Sequence, residues 1–303
     1  MKLAVTGATG LVGGALCQNL IQAGHQVVAL ARNPEKAREK LPTVEAVAWD
    51  ATSGHPPIEA LEGLDAVVHL AGEPVAAGRW TSQRKKMIRE SRVAGTRNLV
   101  EGLSHCQNPP KVLVSGSAIG YYGTQGDGLL EETNHPGNDF LAELCQQWES
   151  EAKRATDSGV RVVLVRSGLI LAREGGALPR MLPPFKMCVG GPLASGTQWM
   201  SWIHIKDELE AIEYAIEHDE IEGPLNLTAP NPVTNEEFSR TLARVLRRPA
   251  FFRVPGFVLR LLLGEMAETL LLKGQRVLPK KLEQSGYQFS FPNLSRAFED
   301  LLG

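Results

Sequence analysis

The 303-residue chain is poor in cysteine. Cys17, Cys106, Cys145 and Cys188 are scattered, and none are paired as C-x-x-C. That spacing excludes a disulfide framework or a thiolate zinc site and predicts reduced thiols in a cytoplasmic setting. The chain also lacks an excess of charge of either sign. A formal net charge of −2 leaves no global basic field for nucleic acid. Long apolar runs are missing too: the richest late stretch, Val258 to Leu272, is broken by Arg260, Glu265 and Glu268 and is too short to cross a bilayer. The seven histidines show no i,i+4 or close-pair spacing, so no metal site is expected. The sequence opens directly on a strand pattern, which predicts no leader peptide. There is no repeat and no low-complexity linker.

What is present begins with a strand, a glycine-spaced turn and a helix. Leu3 to Val5 is a short apolar run that enters Gly7, Gly10 and Gly13, and the apolar-periodic Leu11, Leu16, Leu20 and Ile21 follow. Gly7 suits a sharp turn, Gly10 a close backbone approach to a pyrophosphate, and Gly13 tight helix–strand packing. The helix N-terminus adds free N–H donors and positive dipole for an anion. Further strand patterns lie at Gln26 to Ala31, Val44 to Trp49, Ala66 to Leu70, Lys111 to Ser115 and Arg161 to Val165. Helical patterns fall between them at Glu35 to Leu41, Ser82 to Leu103 and Asp139 to Ser158. This alternation predicts an α/β fold, a doubly wound parallel sheet of the Rossmann kind. Ligands of such sheets bind beyond the C-terminal strand ends. Val5-Thr6, Arg32, Asp50, Leu70 to Gly72 and Ser115 to Ser117 should therefore converge on one crevice.

After Gly168 the pattern changes. Residues 173–203 are Gly/Pro-punctuated, Trp199 to Ile205 reads as a strand, Lys206 to His218 as a helix and Gly223 to Thr228 as a strand. Thr234 to Leu246 carries a capping box, Thr234 with Glu237. The expected division is a dinucleotide-binding domain of residues 1–167 and 204–222, with an interwoven substrate-type lobe of 168–203 and 223–303. Residues 249–303 form its mostly helical end.

At the end of the second strand an acidic residue would bond an adenosine ribose 2′-OH. Here Ala31-Arg32 stands instead, and a guanidinium suits a 2′-phosphate, which favours NADP over NAD. The plain alternative is a solvated Arg32. Asp50 could accept from an adenine amino group or simply end a strand.

Thr6-Gly-Ala-Thr-Gly-Leu-Val-Gly13, Leu70-Ala-Gly72, Gly95-Thr96, the Ser117 to Gly123 loop and Trp202-Ile-His-Ile-Lys-Asp207 resemble the extended short-chain dehydrogenase/reductase superfamily. Other stretches are similar to an atypical NADP-binding branch, the epimerase family proteins, also described as SulA-like cell-division inhibitors or giant-chloroplast proteins. These are Ala71-Gly-Glu-Pro74, Arg79-Trp80, Ser91-Arg92, Asp139-Phe-Leu-Ala142, Trp148-Glu149, Gly190-Gly-Pro192 and Gly274-Gln275. The resemblance spans the whole chain. It implies NADP(H) contacts from Gly7, Thr9, Gly10, Leu11, Val12, Gly13, Ala31, Arg32, Asp50, Leu70, Ala71, Gly72, Glu73, Arg92, Ser115 and Ile170.

The resemblance also implies a Tyr-x-x-x-Lys pair, in which the ammonium lowers the phenol pKa for acid–base work. None follows the Ser117 loop; Leu141 and Cys145 stand at those positions, and Arg92 replaces the asparagine. Ser117 keeps the serine position, with Ser115 as a competing choice. Tyr121 or Tyr122 could substitute for the missing tyrosine, or wall the pocket. Cys145 has no identifiable base and reads as a small apolar residue. Arg92 could meet the cofactor, a substrate anion or a surface partner. The cluster Arg84-Lys85-Lys86 reads as a solvated helix face, and His204 as a structural anchor. Two functions follow. One is an NADP-dependent oxidoreductase or epimerase acting on a small or nucleotide-linked substrate, with Ser117 and Tyr122 as the candidate catalytic pair. The other is an NADPH-binding redox sensor or scaffold with a division-protein partner, for which Phe257 to Leu272 would dock a partner rather than pack on the sheet. Dimers would pair Ser82 to Leu103 with Asp139 to Ser158.

Overall fold

Strands covered on both faces read as unbroken apolar runs, and Leu3-Ala-Val5, Val27 to Leu30 and Ala66 to Val68 become such strands. The computed structural model describes residues 1–303. Its main sheet holds β1 (Lys2–Thr6), β2 (Gln26–Ala31), β3 (Glu45–Ala48), β4 (Ala66–His69), β5 (Val112–Ala118), β6 (Arg161–Ser167) and β7 (Gly223–Leu227). All are parallel, in the order β7-β6-β5-β4-β1-β2-β3. Leu3, Val5, Ala66 and Val68 enter the core on one face, while Ala4 and Val67 enter the core on the other. The strand order reverses between β1 and β4, and such a switch point opens a ligand crevice at the C-terminal strand ends.

The helices that cover the sheet start where the sequence caps them. Helix α1 (Leu11–Gln22) begins at Gly10, which has no side-chain cap bond. Helix α2 (Pro34–Lys40) has Asn33 accepting from Lys36 N. Helix α3 (Ser82–Ser104) is capped by Thr81, and α4 (Phe140–Lys153) by Asp139. Later come α5 (Leu178–Lys186), α6 (Ile205–Glu217), which buries Leu209 and Ile212 on the sheet, and α7 (Asn235–Leu246), with the Thr234–Glu237 capping box formed.

Four features differ from the sequence reading. Gly223–Leu227 pairs with β6 as the edge strand of the main sheet, whereas the division expected from the sequence places it in the smaller lobe. β5 continues through Ser117 to Ala118, so this serine stands on a strand end rather than in a loop. The single strand expected over Trp199 to Ile205 divides at Ser201: Trp199–Met200 pairs with Val233–Thr234, and Trp202–His204 pairs with Leu169–Leu171. The Ser201 hydroxyl, donating to Gln275 O and accepting from Val277 N, ties that break to the C-terminal segment. Finally, within the mostly helical residues 249–303 a strand pairing that the sequence reading does not include ties Arg276–Val277 to Leu129–Leu130.

Candidate active site

Two of the three glycines, Gly7 and Gly13, are required where they stand. Gly7 has φ +70°, and a Cβ there would lie 2.9 Å from the Leu70 carbonyl carbon. A Cβ on Gly13 would lie 2.4 Å from Gly7 O, so α1 leaves β1 only because that position has no side chain. The amides of Leu11, Val12 and Gly13 find no acceptor within the chain. Free amides at a helix start, beside a backbone stripped of side chains, form a cradle for a phosphate group. The β4 end is held against this turn by a buried network. Thr6 Oγ1 bonds His69 Nδ1 at 2.8 Å and accepts from Leu70 N and Ala71 N, and His69 Nε2 reaches Thr96 Oγ1 at 3.0 Å. Burial, aided by the Arg92 charge, lowers the His69 pKa to about 4, so the imidazole stays neutral.

The crevice above these strand ends has a volume of about 720 Å³. Gly7, Thr9, Gly10, Ala31, Arg32, Asp50 and Leu70 to Glu73 line it, as the sequence reading expects. Two lysines of α2, Lys36 and Lys40, line it as well and were not singled out; the signal was present as the basic face of a short helix after Arg32. Lys40 Nζ donates to Thr9 O at 3.1 Å, and Arg32 lies 3.9 Å from Glu73. Asp50 accepts from the Thr52 amide and hydroxyl, which hold its carboxyl below the usual range. Leu11, Val12 and Gly13 follow at the helix start. Ser115 and Ile170 lie outside the crevice, and Ser115 is fully buried.

A second cavity of about 430 Å³ lies beyond Arg92 and Ser117. Leu141 and Cys145 both line it, so the helix that would carry a tyrosine and a lysine does face the site, with inert side chains. Burial, and then the Glu149 carboxylate, push the Cys145 thiol up to about 12, which removes it as a nucleophile. Ser117 Oγ donates to Glu149 Oε1 at 2.7 Å. Arg166 clasps the same carboxylate at 2.8 Å and 2.9 Å. Although burial opposes its charge, this paired bond holds the guanidinium's affinity for its proton above the ordinary value. The Glu149–Arg166 pair was not anticipated, since nothing in either local sequence marks them as partners.

Tyr122 does not join the cavity. It is fully buried, its hydroxyl donates to Asn226 Oδ1 at 2.7 Å and accepts from Arg166 at 3.0 Å, and burial raises its pKa to about 12. This phenol is a structural linker, and the Ser117–Tyr122 pairing read from the sequence is not assembled. Arg92 sits at the boundary of the two spaces, donating to Glu73 O at 2.9 Å and standing 5.1 Å from the Trp148 ring. The Arg84-Lys85-Lys86 cluster is only in part a solvated face. Arg84 bonds Glu73 at 3.2 Å and Lys85 bonds Glu265 at 2.7 Å, tying α3 to the crevice rim and to the C-terminal segment. His204 caps α6, accepting from Lys206 N, and stacks on Phe291 at 3.9 Å.

The last wall of the second cavity comes from the C-terminal segment: Met266, Thr269, Leu270, Leu271 and Gln275. A Cβ on Gly274 would lie 2.0 Å from Trp199 O, so the segment crosses the Trp199 backbone in contact. Phe257, Leu261 and Leu262, on the same stretch, face outward.

A parallel sheet with its switch-point crevice, glycine turn and amide cradle defines a nucleotide-binding protein of the doubly wound class. More narrowly, the chain belongs to the NAD dependent epimerase/dehydratase family, whose model matches residues 3–227; residues 254–301 match a domain of unknown function, DUF1731. It is 40% identical to the epimerase family protein YfhF of Bacillus subtilis over 303 residues, covering all of this chain and 98% of that one. Over 304 residues it is 40% identical to the chloroplastic SDR39U1 homologue of Arabidopsis thaliana, covering all of this chain and 87% of that one. The crystal structure of human epimerase family protein SDR39U1 with NADPH superposes with a TM-score of 0.89 at 36% identity, over 99% of each chain. No helix is long and apolar enough to cross a membrane.

Proposed function

We propose that this chain binds NADP(H) in the 720 Å³ crevice and carries out redox chemistry on a small molecule held in the adjoining cavity. The observation that carries the reading is the union of the open α1 amides with three cations, Arg32, Lys36 and Lys40, around one crevice. The amides fit a diphosphate and the cations fit a further phosphate on the ribose. The related human structure with NADPH supports the same choice. When bound, the nicotinamide supplies a hydride donor or acceptor. The chain's own residues hold and orient: Arg92 at the boundary, Ser117 at the β5 end, and Leu141 and Cys145 excluding water where a proton-transfer pair would stand. The substrate must therefore exchange its proton without a tyrosine–lysine pair, and loss of positioned acid–base catalysis costs about 100- to 10,000-fold in rate.

A second reading, holding NADP(H) without turnover as a redox-dependent scaffold, draws support from that substitution and from the commitment of the Ser117 proton to Glu149. Calorimetric titration with NADPH and NADH tests the shared part: NADPH binds the more tightly, and equal affinities would sink the NADP assignment. Turnover across ketones, quinones and sugar nucleotides separates the two readings. A Ser117→Ala variant that leaves turnover untouched would remove Ser117 from the reaction.

A further inference from the structure

The second cavity says more about its occupant than the family name does. We infer that it takes a compact, largely apolar carbonyl compound rather than a nucleotide-linked sugar. This inference rests on the assignment of NADP(H) to the neighbouring crevice, which places the cavity at the reactive end.

Its walls are mostly apolar, with Leu141, Leu144, Met181, Met266 and Leu270 among them. The polar groups left over are few and of defined kinds. Trp148 is 6% exposed and its indole N–H has no acceptor. Arg92 spends one nitrogen on Glu73 O and Ile88 O. Both residues line the cavity, with the guanidinium carbon 5.1 Å from the Trp148 ring centroid, and a carbonyl oxygen would give either donor an acceptor. The acceptors are equally constrained. Gln198 Nε2 donates to Leu193 O at 3.2 Å and Leu271 O at 2.9 Å, which fixes the amide orientation and leaves Oε1 buried without a donor. Ser117 gives its proton to Glu149, so toward a ligand it can only accept. The site thus asks for one acceptor group and for one or two hydroxyl or N–H donors on an apolar body.

A nucleoside diphosphate fits poorly. Its charges would face Arg92 and Lys273, and Lys273 is already 3.6 Å from Glu268. Buried anions need paired cations, and most of this lining offers methyl and aromatic surface instead.

The test uses the full chain saturated with NADPH, titrated calorimetrically with two ketones that also carry a hydroxyl donor, 6-hydroxy-α-tetralone and 4-hydroxyacetophenone, and with UDP-glucose and UDP-glucuronic acid. The ketones bind and the sugar nucleotides do not. Leu270→Trp and, from a different element, Met181→Trp fill the space and weaken ketone binding about tenfold or more, a loss of about 1.4 kcal/mol, while NADPH affinity, which also reports folding, is retained. Tighter binding of either sugar nucleotide, or no binding by either ketone, overturns the inference. If NADPH itself fails to bind, the cofactor assignment falls, and ketone titration of the free chain judges the cavity by itself.

Discussion

Arg32 and Tyr122 show how far a residue can be read before its neighbours are known. Arg32 follows β2 in the sequence, and the structure adds Lys36 and Lys40 from α2 to the same crevice, a convergence that depends on where a short helix folds back. Arg32→Ala should weaken NADPH by about tenfold to a hundredfold, the worth of one or two charged hydrogen bonds. NADH should change little, and equal losses for the two would show that the arginine does not meet the 2′-phosphate. Tyr122 follows Ser117 in a Gly/Tyr loop, which in the sequence suggests a catalytic role, yet its hydroxyl is spent on Asn226, 104 residues away, and on Arg166. No local pattern reports such partners. Tyr122→Phe leaves two buried groups short of one bond and should lower unfolding stability by about 1–3 kcal/mol. NADPH affinity should stay as it was, and a large fall in affinity would return Tyr122 to the site.

Among the elements, the strands were legible because burial on both faces writes an apolar run into each, whereas their order across the sheet is known only from the structure. The division at Ser201 was not legible, because it is set by the bonds from that serine to Gln275 and Val277. Helix α6 carries a further consequence of packing. Glu208 is buried beneath the β6 end, where Ser167 donates to one oxygen at 2.6 Å and the other has no partner. Burial raises its pKa to about 8 against an ordinary 4.5, with the Ser167 bond opposing. The folded state therefore prefers the protonated acid. The stability this gives is full below about pH 4.5 and is lost as pH rises through about 8. His69 acts in the opposite sense, since its pKa is lowered from 6.5 to about 4, and its contribution is lost as pH falls through that range. Urea unfolding across these windows should show Glu208→Gln losing the decline on the alkaline side and keeping the acid one. An unchanged alkaline decline would place its origin elsewhere.

At the scale of the molecule, residues 249–303 are part of the fold rather than a tail. Val277, Leu282, Leu294, Phe298 and Leu301 are buried in three of the cores. At about 1.5–3 kcal/mol for each fully buried apolar side chain, their loss is comparable to the net stability of about 5–15 kcal/mol typical of a folded protein. A chain ending at Arg248 should therefore fail to give a cooperative unfolding transition by circular dichroism. A truncated chain that still unfolds cooperatively would show that the segment merely rests on the rest. The sequence showed the segment's helical character but not its role, because only the crossing of Gly274 over Trp199 brings Met266 to Gln275 to the cavity.

That crossing separates two kinds of information along the chain. The turn that grips a dinucleotide is written in the first fifteen residues, whereas one wall that shapes the second guest is written some 250 residues later, in a stretch matched by a different family model. Relatives can thus share an identical grip on the coenzyme while diverging in what they offer it, in part by substitutions in one short helical segment near the C-terminus. The residues to compare between relatives are therefore those from 266 to 275 together with the walls that the first model's region supplies, such as Arg92, Leu141, Cys145, Trp148 and Met181.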